Sequence, residues 1–102
     1  MHTLFQLKSG ELTGIKHLSL SENLTTFPQE ILSLADSLEI LDLSNNQLTS
    51  LPAEIAQLTK LKILFASNNQ FVTLPEVLGQ CPNLEMVGLK SNQINQVPEH
   101  SL

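Results

Sequence analysis

The sequence predicts an α/β solenoid, a right-handed superhelix with a curved parallel sheet and short helical or irregular turns on the convex side. Four segments, beginning at Ile15, Leu38, Leu61 and Leu84, align at a spacing of 23 residues. Each carries apolar residues at alternate positions, the pattern of a short strand buried on one side. A proline follows each strand. Each copy is therefore one strand and one turn, which must stack on its neighbours to bury its apolar side.

The strand motif is clearest in the second copy. It reads LEILDLSNNQLTSLP and fits the pattern L-x-x-L-x-L-x-x-N-x-L at every named position. The third copy, LKILFASNNQFVTLP, has Ala66 and Phe71 at two leucine positions, and the fourth, LEMVGLKSNQINQVP, has Val87 and Ile94. Because stacked coils place residues one period apart side by side, these positions predict one continuous aliphatic core.

An asparagine follows each strand at the same repeat position. These residues are predicted to form a buried structural ladder: Asn23, Asn46, Asn69 and Asn92. A carboxamide there can donate to backbone carbonyls that no sheet satisfies, so a structural role outweighs a ligand-binding one. The first copy lacks the residue after its asparagine and regains it at residues 35–37. We expect an altered return path in that coil, with its strand still in register.

The prolines predict where each convex turn begins, because proline suits the start of a short helical turn. They are Pro28, Pro52, Pro75 and Pro98. Apolar residues three and six positions later should face the core: Ile31, Leu34, Ile55, Leu58, Leu78 and Cys81. We interpret Cys81 as a small buried hydrophobic residue rather than a reactive or metal-binding one, because no second cysteine or convergent histidine accompanies it.

The predicted organisation is an amino-terminal cap over residues 1–14, followed by repeats at 15–37, 38–60, 61–83 and an incomplete one at 84–102. Within 1–14, apolar residues flank a turn signal at Lys8, Ser9 and Gly10, which favours a hairpin. A solenoid needs a terminal cap with a polar outer face. None follows the last strand, so we expect a fragment of a longer protein whose open end would allow self-association.

Composition argues against several function classes. The net charge is −5 with no arginine, which disfavours nucleic-acid binding. No apolar run approaches the ~20 residues needed to cross a bilayer, and residues 1–14 lack the features of a signal peptide. One unpaired cysteine suits a reducing compartment. We therefore expect no membrane association and a cytoplasmic location, with a mature secreted fragment as the alternative.

Two stretches, LPAEIAQLTKL and LDLSNNQLTSLP, resemble the L-P-x-x-I-x-x-L subclass of leucine-rich repeat proteins, over residues 15–98. The stretches SGELTGIKHLSL, FPQEILSLADSLEILDLSNNQL and LPEVLGQCPNLEMVGLKSNQI are similar to the amino-terminal repeats of bacterial leucine-rich repeat proteins that carry a protein-kinase domain. The resemblance implies further repeats and then a kinase. The chain has no glycine-rich loop and no V-A-I-K, H-R-D or D-F-G sequence, so kinase activity is not carried over and we expect no enzyme here.

Alternate strand positions should face away from the core and form a concave face, which we predict to bind a protein partner. Its residues are His17, Ser19, Ser21, Ile40, Asp42, Ser44, Ile63, Phe65, Ser67, Met86, Gly88 and Lys90. Ile40, Ile63 and Met86 form an apolar column beside Phe65, while the three serines Ser21, Ser44 and Ser67 form a serine column that ends at Lys90. An aromatic anchor among aliphatic groups suits protein recognition. The alternative is that the apolar column only packs along the sheet margin.

Other candidate sites are weaker. A column of alternating charge, Lys16, Glu39, Lys62 and Glu85, is interpreted as a device that fixes the register. His17, Ser19 and Asp42 lack a nucleophile-elbow sequence and an oxyanion-hole candidate, which argues against hydrolysis. No His, Cys or carboxylate spacing predicts a metal site, and no cofactor is expected.

The sequence thus predicts a protein-interaction module, the sensing or regulatory segment of a larger bacterial signalling protein with a kinase-like domain. Two alternatives remain open at this point. One is the substrate-recognition segment of a bacterial effector enzyme such as a ubiquitin ligase, and the other is a purely structural spacer.

Overall fold

The computed structural model describes residues 1–95. Its described elements are α1 (Leu4–Lys8), β1 (His17–Ser19), a 3-10 helix (Gln29–Leu34), β2 (Ile40–Asp42), a 3-10 helix (Ala53–Gln57), β3 (Ile63–Phe65), a 3-10 helix (Glu76–Gln80) and β4 (Met86–Gly88). Strand and helical turn alternate along the chain. Each repeat therefore forms one coil, with a strand on one side and a turn on the other.

The strands form one parallel sheet in the order β1-β2-β3-β4. Its register joins residues one sequence period apart, so that Leu41 pairs with Leu18 on one side and with Leu64 on the other. Leu64 pairs in turn with Val87. The 23-residue spacing therefore sets the strand pairing directly, and the α/β solenoid predicted from the sequence is confirmed.

The core lies between the sheet and the helical turns. Leu18, Leu41 and Leu64, at the middle of their strands, are fully buried. Burial of a leucine side chain contributes about 1.5–3 kcal/mol, so the stacked leucines supply much of the free energy that holds the coils together. Val87 and Ile94 in the last described coil are only half-buried and pack against this core.

Each described convex turn begins as its proline predicts. The carbonyl oxygens of Pro28, Pro52 and Pro75 accept the N–H groups three residues later at 3.1, 3.1 and 3.2 Å. The six inward positions predicted from these prolines are buried: Ile31, Leu34, Ile55, Leu58, Leu78 and Cys81. The corresponding prediction for Pro98 lies outside the described residues, as do the end of the fourth repeat and the predicted open end.

The predicted hairpin in residues 1–14 is wrong, because this segment forms helix α1. Thr3 Oγ1 accepts the N–H of Gln6 at 3.1 Å, and Gln6 Oε1 accepts the N–H of Thr3 at 3.0 Å. This reciprocal capping satisfies two N–H groups that the first helical turn would leave unpaired, which favours helix over strand. Gly10 and Gly14 then turn the chain at φ angles of 81° and 87°.

The segment also covers the free edge of β1. His2 N donates to Ser19 O at 2.8 Å, and His2 Nδ1 accepts the N–H of Ser19 at 3.1 Å. The Glu22 carboxylate accepts the N–H of Leu4 at the start of α1. Backbone groups on this edge would otherwise be open to pairing with another chain, so His2 shields the first strand.

Three of the four predicted ladder asparagines join consecutive coils. Asn69 Nδ2 donates to Leu43 O of the preceding coil at 2.9 Å and to Ala66 O of its own coil at 3.2 Å. Its Oδ1 accepts the N–H of Leu48 at 2.9 Å. Asn46 and Asn92 repeat this arrangement one coil before and one coil after. Each therefore satisfies backbone groups that the strands leave unpaired.

Asn23 is not part of this ladder, and that prediction is wrong. Its side chain is exposed, and its φ of 56° matches the 63° of Asn45 rather than the backbone of Asn46. Asn23 therefore has the backbone conformation of the residue before a ladder asparagine, and Leu24 follows it directly, where Asn46 and Gln47 precede Leu48 in the second coil. In addition, the cap and not a further strand-forming coil precedes the first coil, so Asn23 has no equivalent carbonyls to reach.

Among the described residues, the helices are all too short to span a lipid bilayer.

Candidate functional site

The concave face is the side of the sheet turned away from the core. Along each strand, its residues alternate with the buried ones, as in β2, where Ile40 and Asp42 flank the buried Leu41. His17, Met86 and Lys90 are exposed, and the other concave-face positions are half-buried. The predicted residues therefore lie on one accessible surface, across four neighbouring strands.

The apolar column crosses three strands. Ile40 pairs with Ile63, and Ile63 pairs with Met86, whose side chain is 51% exposed. His17 precedes them on β1 as the partner of Ile40. Because adjacent strands lie ~4.8 Å apart, three apolar side chains form a continuous strip that water contacts from one side.

A second column, the central column, runs through the third residue of each strand: Ser19, Asp42, Phe65 and Gly88. The ring of Phe65 leans onto β4, because a Cβ placed on Gly88 would lie 3.1 Å from Phe65 Cδ1. A side chain at that position would therefore press against the ring. Phe65 therefore leans away from Asp42, its neighbour on the other side.

Asp42 carries the carboxylate of the central column. Its Oδ1 accepts the N–H of Ser44 at 2.9 Å, which fixes the side chain against its own strand. No ion pair joins it to any cation in the described part of the chain. The second carboxylate oxygen therefore remains available to a ligand.

The serine column is largely committed to internal hydrogen bonds. Ser44 Oγ accepts the N–H of Ser67 at 3.1 Å, and Ser21 Oγ donates to Asn45 O at 3.0 Å. Sequence reasoning missed the next pair, in which Asn68 Nδ2 donates to Asn45 Oδ1 at 2.8 Å. The repeated S-N-N sequence was the available signal, since asparagine tolerates the left-handed backbone found at both positions. This column therefore rigidifies the sheet edge.

The alternating charge column forms one ion pair among the residues described. Lys62 Nζ lies 3.7 Å from Glu39 Oε1, and these side chains are 52% and 33% exposed. No ion pair reaches Lys16 or Glu85 within residues 1–95. An exposed pair of this kind contributes about 0–1 kcal/mol, so the column has little effect on stability.

The arrangement offers no assembled catalytic group. Ser19 and Asp42 are cross-strand neighbours, yet the Ser19 hydroxyl contacts Met1 Sδ at 3.7 Å and Asp42 bonds to Ser44. No hydrogen bond links His17 to either of them in the described structure. Within residues 1–95 there is also no group of three or more His, Cys, Asp or Glu that could hold a metal ion.

Cys81 lies away from this face, on the convex side of the core, with 7% of its surface exposed. Burial raises the pKa of its thiol above the usual 9.0, because removal from water disfavours the thiolate. The thiolate is the nucleophile and metal ligand. The residue therefore packs as the small hydrophobic group that the sequence predicts.

Comparisons with known proteins agree with this architecture. The family description "Leucine rich repeat" matches residues 18–71 and 36–94. A leucine-rich repeat protein of Leptospira interrogans superimposes with a TM-score of 0.75 at 41% identity, over 90% of this chain and 24% of that one. The "Probable serine/threonine-protein kinase roco5" of Dictyostelium discoideum is 45% identical over 53 residues, which is 51% of this chain and 2% of that protein.

The chain thus spans a small part of each of these relatives. The similarity to repeats of a kinase confirms the resemblance found in the sequence. The matched residues include β2, β3, β4 and all of β1 except His17, with both outward and inward positions. The repeat period, the parallel register and the family match agree, and the chain belongs to the leucine-rich repeat family.

Proposed function

We propose that this chain is the partner-sensing or regulatory segment of a larger cytoplasmic signalling protein with a kinase-like domain, and that it binds a protein through its concave face. Leucine-rich repeat domains serve in general as protein-interaction modules. The observation that carries the choice of face is the strip formed by the apolar column and Phe65, which solvent reaches on a sheet whose other side packs against the core.

The strip can supply binding free energy through its apolar side chains and its aromatic ring. Aromatic and aliphatic anchors near the centre of an interface supply most of the binding free energy, and Phe65 lies on an inner strand between Asp42 and Gly88. The leaning ring is held by contact with β4. A side chain that is already fixed loses little entropy on binding, so it suits recognition.

The link to a kinase rests on the repeats shared with roco5, which its printed name describes as a probable serine/threonine-protein kinase. The bacterial source inferred from the sequence is supported by the likeness to the Leptospira protein. The Dictyostelium relative indicates that such repeats extend beyond bacteria. Location in the cytoplasm is supported by the single buried cysteine, which suits a reducing compartment.

A quantitative capture experiment tests the face. A double variant, Ile40→Lys with Phe65→Glu, places two charges on the strip, and a matched control, Ala53→Lys with Gln80→Glu, places the same charges at exposed convex positions. Partners captured by the wild-type chain and by the control should be lost from the concave variant. Circular dichroism of all three proteins should remain alike.

Retention of every partner by a correctly folded concave variant would contradict the proposal. That result would favour the purely structural spacer, since a spacer needs no open face. If a concave-sensitive partner is instead modified by an effector enzyme that carries these repeats, the substrate-recognition alternative takes precedence over the sensing role.

A further inference from the structure

The central column places a carboxylate and an aromatic ring on neighbouring strands. Asp42 holds a carboxylate with one oxygen uncommitted, and Phe65, its neighbour on β3, presents an aromatic ring. We propose that the partner inserts an arginine side chain between Asp42 and Phe65. This inference rests on the proposed function and adds the chemistry of the partner.

The geometry of the ring supports this site. Phe65 Cδ1 and Cε1 lie 3.1 and 3.8 Å from the place where a Cβ of residue 88 would be. Since the ring leans onto β4, it turns away from the gap above the sheet between β2 and β3, which lies on the side of Asp42. Adjacent strands lie ~4.8 Å apart, and a cation is attracted to a ring within about 6 Å of its centre. A group held over this gap can therefore reach both the ring and the carboxylate.

An arginine side chain fits this gap better than a lysine side chain does. Its planar guanidinium stacks on an aromatic ring while its N–H groups fork toward a carboxylate, whereas a lysine ammonium is strongly hydrated and has no flat surface. Asp42 Oδ1 is already turned to the Ser44 N–H, so the bond to arginine would form at Oδ2. The site thus needs only one new charge-assisted hydrogen bond together with the stacking contact.

Charge around the site agrees with a cationic partner. The whole chain carries a net charge of −5, which attracts a positively charged surface. Lys90 is the concave-face lysine, and it follows β4, two strands from Asp42. Two strand spacings amount to about 10 Å, and Lys90 also lies two residues further along its strand, so the whole separation is larger than the distance over which salt screens charges. Asp42 is therefore the nearer of these two charges to the gap.

The apolar column adds a second requirement on the partner. It lies two residues before the central column along each strand, a distance of about 7 Å. An extended partner segment running along the strands would place alternate side chains at the same separation. The partner should therefore present an aliphatic residue and an arginine two positions apart.

Titration followed by nuclear magnetic resonance tests this directly. The probe is an acetylated, amidated glycine-serine peptide with a leucine and an arginine two positions apart. The control probe replaces arginine by citrulline, which keeps the shape and removes the charge. The arginine peptide should shift the backbone amide signals of residues 40–44 and 63–67 and bind at least about fivefold more tightly than the citrulline peptide.

Variants complete the experiment. Asp42→Asn keeps an oxygen that can accept the Ser44 N–H, so the fold should be retained while the preference for arginine is lost. Asp36→Asn removes an exposed carboxylate outside the concave face and should retain the preference. Equal binding of the two peptides, or shifts confined to the convex turns, would overturn the arginine site. The broader proposal would still stand if partners remained sensitive to the Ile40 and Phe65 double variant.

Discussion

Replacing Asn69 by alanine should lower the free energy of unfolding by more than the loss of one polar side chain usually does. Asn69 is 6% exposed, and its Oδ1 accepts the N–H of Leu48 at 2.9 Å. Leu48 is fully buried, so the variant would leave its N–H group without a partner. An unsatisfied buried donor costs about 1–3 kcal/mol.

The carbonyl groups on the other side of Asn69 are affected less. Leu43 O also accepts from Asn46 Nδ2, and Ala66 O also accepts from Asn92 Nδ2, each near 3 Å. Each therefore keeps one bond in the variant. Adding a small term for these weakened carbonyls, we expect a loss of about 2–3 kcal/mol in the free energy of unfolding.

Urea denaturation followed by circular dichroism measures this loss, since the chain has no Trp or Tyr for fluorescence. With a slope of about 1–1.5 kcal/mol per molar urea, the midpoint should fall by about 2 M. Gln70→Ala is the matched control, because it changes the exposed neighbour and should shift stability by less than ~0.5 kcal/mol. An Asn69→Ala loss no larger than that of the control would refute the role assigned to the ladder.

Three further predictions follow from the same structure. Leu64→Ala, at a fully buried position, should cost about 2–5 kcal/mol in the same urea assay, and a loss below 1 kcal/mol would show that the coils do not share a packed core. Glu39→Gln should cost less than ~1 kcal/mol because the ion pair to Lys62 is exposed, and a large loss that persists in high salt would contradict this. Because burial raises the pKa of Cys81 above 9.0, the thiol contributes stability below pH 9.0 that is lost as pH rises through the folded-state pKa. Unfolding free energy measured against pH should therefore fall more steeply above pH 9.0 in the wild type than in Cys81→Ala, and equal slopes would be the contrary result.

The strand register of the sheet could be predicted because it follows the 23-residue period of the sequence. Residues one period apart, such as Leu41 and Leu64, become neighbours once the coils stack. The alternation of apolar residues along each strand then decides which side chains face the core and which face outward. The prolines likewise indicated the convex turns, because proline fixes its own backbone angle and leaves no N–H to satisfy. These features depend on residue types that recur at regular intervals, and such recurrence can be recognised directly in a sequence.

Two errors arose where that regularity ends. In residues 1–14, apolar residues on both sides of the turn signal at residues 8–10 suggested a hairpin, while the reciprocal hydrogen bonds of Thr3 and Gln6 stabilise a helix. In the first coil, Asn23 aligns with Asn46 when the copies are matched by sequence, whereas its backbone angle of 56° matches that of Asn45. Pattern matching carries no information on that angle.

The contact between Phe65 and Gly88 could be predicted in part from the sequence. Their register follows from the period, and an aromatic residue beside a glycine on a neighbouring strand is a known way to cover exposed backbone. The direction in which the ring leans, away from Asp42 and onto β4, can be seen only in the coordinates. The candidate surface was therefore predictable as a set of residues, whereas its chemistry was not.

The fold and its concave face both depend on the stacking of consecutive coils one period apart. Nuclear Overhauser contacts between the methyl groups of Leu41, Leu64 and Val87 test this most directly, with Ile40 and Ile63 as outward reference positions. With the coils stacked in this way, we expect contacts from Leu41 to Leu64 and from Leu64 to Val87. We expect no contacts from these three residues to the reference methyl groups on the other side of the sheet. Central methyl groups that contact the outward set, or that show no contact one period apart, would contradict the fold and the concave face together.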